Sequence, residues 1–127
     1  MRVLLIERDE YLRRTIEAWL VEAKHVVVSV PTPKSALVEL GRGTFDLLIT
    51  DSGAQSQVSA LEMMDKIRKD PFFKEINTTP ILVQSTTPLG DEAQRLGAAF
   101  LHKIYRKDEF FSSVEQAVLL QTGSLFK

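Results

Sequence analysis

The segment LLIERDEYLRR (residues 4–14) runs from three apolar residues into four charged ones and then into a helical pattern. Its apolar part belongs to RVLLI (2–6), a short continuous run rich in branched residues, as expected of a strand covered on both faces. Beyond the charges, Leu12, Ile16, Trp19, Leu20 and Ala23 recur at steps of three and four, one apolar stripe of a helix, and Asp9 stands where a cap belongs. A buried strand that ends in charge and turns directly into a helix is the opening unit of a parallel α/β sheet. The corner holds one oddity: Arg8 lies between Glu7 and Asp9. Acids at such a strand end suit a cation, and a guanidinium, which has no acceptor atom and keeps its proton, cannot ligate one.

The same alternation continues along the chain. HVVVSV (25–30) reads as a second strand; Thr32 and Pro33 supply a cap and a first-turn proline for a helix carrying Ala36, Leu37 and Leu40, which Gly41 stops. FDLLIT (45–50) is the third strand, ALEMMDKIRK (60–69) a helix with Leu61, Met64 and Ile67 inward, and PILVQS (80–85) the fourth strand. A short helix over Asp91–Leu96 ends at Gly97, AFLHK (99–103) is the fifth strand, and Asp108 opens a last helix bearing Phe110, Phe111, Val114, Val118 and Leu119. Five strands alternating with five helices require right-handed crossovers and a mostly parallel sheet with helices on both sides.

The chain's 127 residues, 44% of them hydrophobic, suffice for one domain with a real core and are too few for two ordinary ones. An effector domain is therefore expected on another chain or on a segment that has been removed. Sixteen basic and seventeen acidic side chains give a formal charge of −1, so no overall field favours nucleic acid or an anionic membrane. The absence of cysteine excludes disulfides, thiolate catalysis and cysteine metal sites, and fits a reducing compartment, with the cytoplasm as the expected location. No apolar run approaches the length of a membrane span. His25 and His102 stand alone and form no metal-spacing pair.

In a parallel α/β sheet the ligand site lies beyond the carboxyl ends of the strands, where the strand order reverses. That rule selects Glu7, Arg8 and Asp9 after the first strand, Asp51 after the third, Ser85, Thr86 and Thr87 after the fourth, and Lys103 after the fifth. Each alone has a plain structural explanation, since acids favour helix starts, hydroxyls favour turns and lysine favours solvated edges. Their arrival at four strand ends brings carboxylate, hydroxyl and ammonium to one crevice.

With these residues placed, residues 1–121 resemble a CheY-like receiver domain of two-component response regulators. LLIERDEYLRR sets Glu7 and Arg8 at the family's two acid positions, FDLLITD sets Asp51 at the phosphoacceptor, PILVQST sets Ser85 at its hydroxyl, and LGAAFLHKIY sets Lys103 at its lysine. Phe100 falls where the family keeps a switching aromatic. The resemblance implies a flavodoxin-like (βα)5 fold with a five-stranded parallel sheet in the order 2-1-3-4-5, and residues 122–127 as a tail or the start of a linker. It implies that Asp51 takes a phosphoryl group from a histidine kinase or phosphotransfer protein, as a phosphoacceptor in signalling and not as an enzyme. Mg2+ would be held by Glu7, Asp51 and the Gly53 carbonyl, while Lys103 and Ser85 would meet the phosphoryl oxygens. The switch would pass through Thr86, Phe100, Ile104 and Tyr105 to a protein effector or fused output domain.

The departures from the family are as specific as the matches. Glu7, Arg8, Asp51 and Lys103 cancel in charge, whereas the family's pocket keeps two net negative charges for a divalent ion, so Mg2+ is expected to be weak or absent. Arg8 is expected to take the metal position and contact Asp51 or Glu7; the other arrangement turns Arg8 to solvent and makes Asp9 a substitute ligand. The segment after Asp51 lacks the family's methionine-proline, and Pro88 and Gly90 leave room for only about two turns in the fourth helix. Ile104 follows Lys103 where the family has proline, and since cis before a non-proline costs about 2.5–4 kcal/mol, that bond is expected to be trans. Two functions remain: a phosphorylatable receiver, or a pseudo-receiver that serves as a phosphorylation-independent interaction module because Arg8 replaces a metal-binding acid. A flavodoxin-type phosphate carrier is disfavoured, because ERDE presents acids where it needs hydroxyls and amides.

Overall fold

The structure, a computed structural model, describes residues 1–51, 60–69, 79–86, 90–95 and 97–122. Within them the chain alternates β1 (Arg2–Ile6), α1 (Glu10–Glu22), β2 (Val26–Val30), α2 (Pro33–Leu40), β3 (Leu47–Thr50), α3 (Ala60–Lys69), β4 (Ile81–Ser85), α4 (Gly90–Arg95), β5 (Ala99–His102) and α5 (Lys107–Thr122). The strands pair in parallel in the order β2-β1-β3-β4-β5. All ten expected elements are present; the last two helices each start one residue early, β2, β3 and β4 start one or two residues late, and β5 ends one residue short.

Side-chain alternation divides the core. Leu4, Ile6, Leu48, Ile81 and Val83 face α2, α3 and α4 with Ala36, Leu40, Ile67 and Ala93. Val3, Leu5, Leu47, Ile49 and Leu82 face α1 and α5 with Ile16, Leu20, Phe110, Val114 and Ala117. The continuous apolar runs of the central strands are what burial on both faces requires. Leu61 and Met64, expected inward on α3, lie outside the side chains described.

The helix ends differ from the sequence pattern in instructive ways. Asp9 and Thr32 cap α1 and α2 as expected, their side chains accepting from Leu12 N and Ser35 N. Gly41 closes α2 in a right-handed conformation (φ −74°), so its lack of a side chain is not what stops the helix. Lys24, by contrast, takes φ 72° after α1, while Lys24 N and His25 N donate to the Val21 and Leu20 carbonyls. Gly97 ends α4 in the same way, at φ 74°, with Gly97 N and Ala98 N on the Gln94 and Ala93 carbonyls. Ala23 is exposed and is not part of the buried stripe of α1.

Candidate functional site

The strand order reverses at β1, whose neighbours are β2 and β3. Main-chain bonds carry the sheet past its last residues and set the site: Glu7 N donates to Val30 O at 3.1 Å, Asp51 N to Ile6 O at 3.0 Å, and Lys103 N to Ser85 O at 2.9 Å. Glu7, Asp51 and Ser85 are thereby held at three adjacent strand ends, each under a tenth exposed. The Arg13 guanidinium, one turn into α1, donates to the Glu7 carbonyl at 2.8 Å and fixes the corner where the chain leaves the sheet.

Glu7 is the hub. Its carboxylate accepts from Lys103 Nζ at 2.8 and 3.0 Å, from Gln84 Nε2 at 3.1 Å and from Asp9 N at 3.3 Å. Burial pushes its pKa up; the Lys103 hydrogen bond pulls the other way, and the charge of Asp51 adds to the rise. Burial outweighing an ion pair is physically reasonable for a carboxylate that is 1% exposed.

Arg8 does not behave as expected. Its backbone N–H donates to Asp51 Oδ2 at 2.9 Å, but the residue is exposed, and among the described residues its guanidinium makes no ion pair. The cation paired with Glu7 is Lys103, brought there by its strand-end position. Asp9 caps α1, its Oδ1 accepting from Leu12 N at 2.9 Å. Asp9→Ala should therefore cost about 1 kcal/mol of stability as a lost cap and leave divalent-ion affinity unchanged, which chemical denaturation and magnesium titration would check. A clear loss of affinity would return Asp9 to the metal site.

The second correction concerns Lys103–Ile104, which is cis and not trans. The local cost gave the wrong answer because the flanking groups are fixed from three sides: Lys103 N on Ser85 O, Lys103 Nζ on Glu7, and the Tyr105 hydroxyl on Gln84 Oε1. Ile104 itself is 98% exposed.

The expected switch residues do not lie together. Phe100 packs against the α2–α4 side of the core, 6.5 Å from the His102 ring, and Thr86 is exposed. Tyr105 lies in the α1/α5 layer, where it stacks on Phe110 at 5.9 Å and meets the edge of Trp19 at 6.5 Å. Its hydroxyl pKa is pushed well above the ordinary phenol range by burial and by the charge of Glu7. Gln84, fully buried between Glu7 and Tyr105, escaped the sequence reading. The signal that could have found it is a lone primary amide in a central strand covered on both faces, since such a group requires partners.

The divalent ion implied by the resemblance can be tested against these residues. Among the described residues no group of three His, Cys, Asp or Glu is placed to hold a metal, and Gly53, whose carbonyl was expected to ligate, lies outside them. Two carboxylates remain, Glu7 and Asp51, whose like charges act on each other. That donor set fits an ion held by one or two carboxylates and several waters, with Lys103 as its competitor for Glu7.

No family model matches the chain. It is 26% identical, over 133 aligned positions, to the regulatory protein VanRB of Enterococcus faecalis, and spans all of this chain but only 56% of that relative's length. Among solved structures it superposes on the chemotaxis response regulator CheY4 of Vibrio cholerae with a TM-score of 0.79 at 21% identity, covering 91% of this chain and 97% of that one. The receiver domain of the Francisella response regulator 1452 gives 0.77 at 18% identity over 97% and 98%. The response regulator TrrA of Thermotoga maritima, in complex with Mg2+ and BeF, gives 0.76 at 19% identity over 91% and 97%. The strand order, the split core and these superpositions agree: the chain has the fold of CheY-like response-regulator receiver domains.

Proposed function

We propose that the chain is a phosphorylatable receiver, in which Asp51 takes a phosphoryl group from a histidine kinase or phosphotransfer protein in the cytoplasm and the fold relays the change to a protein effector or fused output domain. The observation that supports this most is the outward Arg8 side chain. Arg8 contributes its backbone N–H, which any residue but proline would supply, and that N–H orients the Asp51 carboxylate. The nucleophile, a buried hydroxyl residue at Ser85 and an ammonium at Lys103 all stand at the carboxyl end of the sheet.

In the transfer, an Asp51 carboxylate oxygen attacks phosphorus, forming a P–O bond as the P–N bond to the donor histidine breaks. The departing imidazole keeps the bonding pair and takes a proton from solvent. Lys103 moves its charge from Glu7 towards the phosphoryl oxygens, and Ser85 donates a hydrogen bond to one of them. A divalent ion held by Glu7 and Asp51 would add electrostatic stabilisation of the same oxygens. The domain is a phosphoacceptor without turnover of its own.

A second reading, the pseudo-receiver, has one observation in its favour: Lys103 is already neutralised by Glu7, with its ammonium 2.8 Å from the carboxylate. The two readings separate by intact mass after treatment with a small acyl-phosphate donor and magnesium. One phosphoryl group on the parent and none on Asp51→Asn is the expected outcome. An unmodified parent, with or without magnesium, would leave the pseudo-receiver.

A further inference from the structure

Gln84 occupies a site that an aliphatic residue would fill without cost. It is fully buried on β4, between two sheet neighbours and on the same face as Leu82 and the α1/α5 layer. Both ends of its amide are satisfied, and the partners fix its direction. An ionised Glu7 can only accept, so the NH2 faces Glu7, at 3.1 Å; the carbonyl then faces Tyr105, whose hydroxyl must donate. The result is a directed chain from the Tyr105 hydroxyl through the Gln84 amide to the Glu7 carboxylate, which Lys103 closes at 2.8 Å.

The far end of this chain is an aromatic cluster. Tyr105 stacks on Phe110 with an interplanar angle of 18°, and Trp19 lies 5.6 Å from Phe110 and 6.5 Å from Tyr105. These rings join α1, α5 and the segment before α5. Phe100 lies on the opposite side of the sheet, against the α2–α4 layer.

We propose that Gln84 and Tyr105 are positioning residues that couple the Glu7–Lys103 pair to the Trp19–Tyr105–Phe110 cluster, giving the pocket a line to the α1/α5 layer separate from the one through Phe100. The coupling follows from the hydrogen-bond inventory. When Lys103 leaves Glu7, the carboxylate loses its counter-charge and must re-pair. Its remaining partners are Asp9 N, fixed in the backbone, and the Gln84 amide, which cannot turn towards a new arrangement without releasing the Tyr105 hydroxyl. Such an amide has no water to fall back on, so a change at one end is felt at the other. Linkage makes the coupling reciprocal. The proposal needs no phosphoryl group, so it stands or falls independently of whether Asp51 is modified.

The test uses the full chain and both directions of the coupling. Tyr105→Phe removes one oxygen and keeps the ring; it should shift the Glu7 side-chain carboxyl resonance, while Trp19→Phe, which disturbs the same cluster without touching a hydrogen bond of the chain, should move that resonance much less. In the other direction, Lys103→Met should shift the emission of Trp19, the protein's single tryptophan, and the shift should be lost in the Tyr105→Phe background and kept in Phe100→Leu. A Glu7 resonance that ignores Tyr105→Phe, or moves equally in Trp19→Phe, overturns the proposal. So does a Trp19 shift that survives Tyr105→Phe. Should Lys103→Met fail to fold, the Glu7 arm decides alone.

Discussion

Lys103→Met is expected to lower stability by about 3–5 kcal/mol at neutral pH, the usual consequence of removing one partner of a buried ion pair. The side chains are 18% exposed at Lys103 and 2% at Glu7, so water can re-solvate only the first of them. With the ammonium gone, Glu7 faces Gln84 Nε2, Asp9 N and the like charge of Asp51. Two hydrogen bonds do not replace a counter-ion, and the carboxyl's remaining escape is to take a proton.

That escape gives the loss a pH dependence with a definite sign. The folded-state pKa of Glu7 is already above its ordinary value, through burial first, and losing Lys103 removes a contribution that lowers it. A raised folded pKa means that the folded state binds a proton more readily than the unfolded chain. The associated stability is fully present below the ordinary glutamate range and is lost as pH rises through the folded value. Urea unfolding across a pH series should therefore show the gap between parent and Lys103→Met narrowing in acid and widening towards neutrality. Adding Glu7→Gln should recover part of the loss, because a neutral amide no longer needs the missing charge. A gap that is small and independent of pH would mean that the Glu7–Lys103 pair does not hold the pocket.

What the sequence discloses and what it hides divide along a physical line. RVLLI and FDLLIT announce themselves because strands covered on both faces must be apolar throughout, and Asp51 and Lys103 become visible as the polar residues that end such runs. Backbone position is therefore readable; side-chain direction is not. Nothing local distinguishes an Arg8 that enters the pocket from one that leaves it, because the choice depends on whether Lys103, 95 positions later, already pairs with Glu7. The Lys103–Ile104 bond is illegible for the same reason, since its neighbours are set by Ser85, Glu7 and Gln84 and not by the peptide itself. Gln84 is hidden because a polar residue near a strand's end resembles ordinary alternation. Only the central place of β4 between β3 and β5 makes it a buried amide.

The outward Arg8 changes what Arg8→Asp should do. The N–H bond to Asp51 persists, because it belongs to the backbone, and the core does not depend on an exposed side chain. The effect must then come through the field or through a new oxygen, and the two differ in size. At about one Debye length, ~8 Å, a unit charge product is worth about 0.5 kcal/mol in water and about 0.2 after screening. Exchanging a positive for a negative charge beside a divalent ion alters roughly four such products, or about 0.8 kcal/mol, which is about fourfold in affinity. Direct ligation by the new carboxylate would exceed tenfold, or about 1.4 kcal/mol. Because metal binds only the folded state, the difference is read as the magnesium-dependent gain in thermal stability of Arg8→Asp over the parent. Acyl-phosphate modification of Asp51 should rise in parallel, from a parent that is already modified, since the guanidinium does not fill the pocket. A parent that takes a phosphoryl group as readily as Arg8→Asp would show that Arg8 is no block at all, and the pseudo-receiver reading would fail with it. A parent that stays unmodified while Arg8→Asp is modified would show instead that position 8 holds this receiver silent, and the size of the magnesium-dependent gain, about fourfold or beyond tenfold, would tell whether the charge or the missing oxygen is responsible.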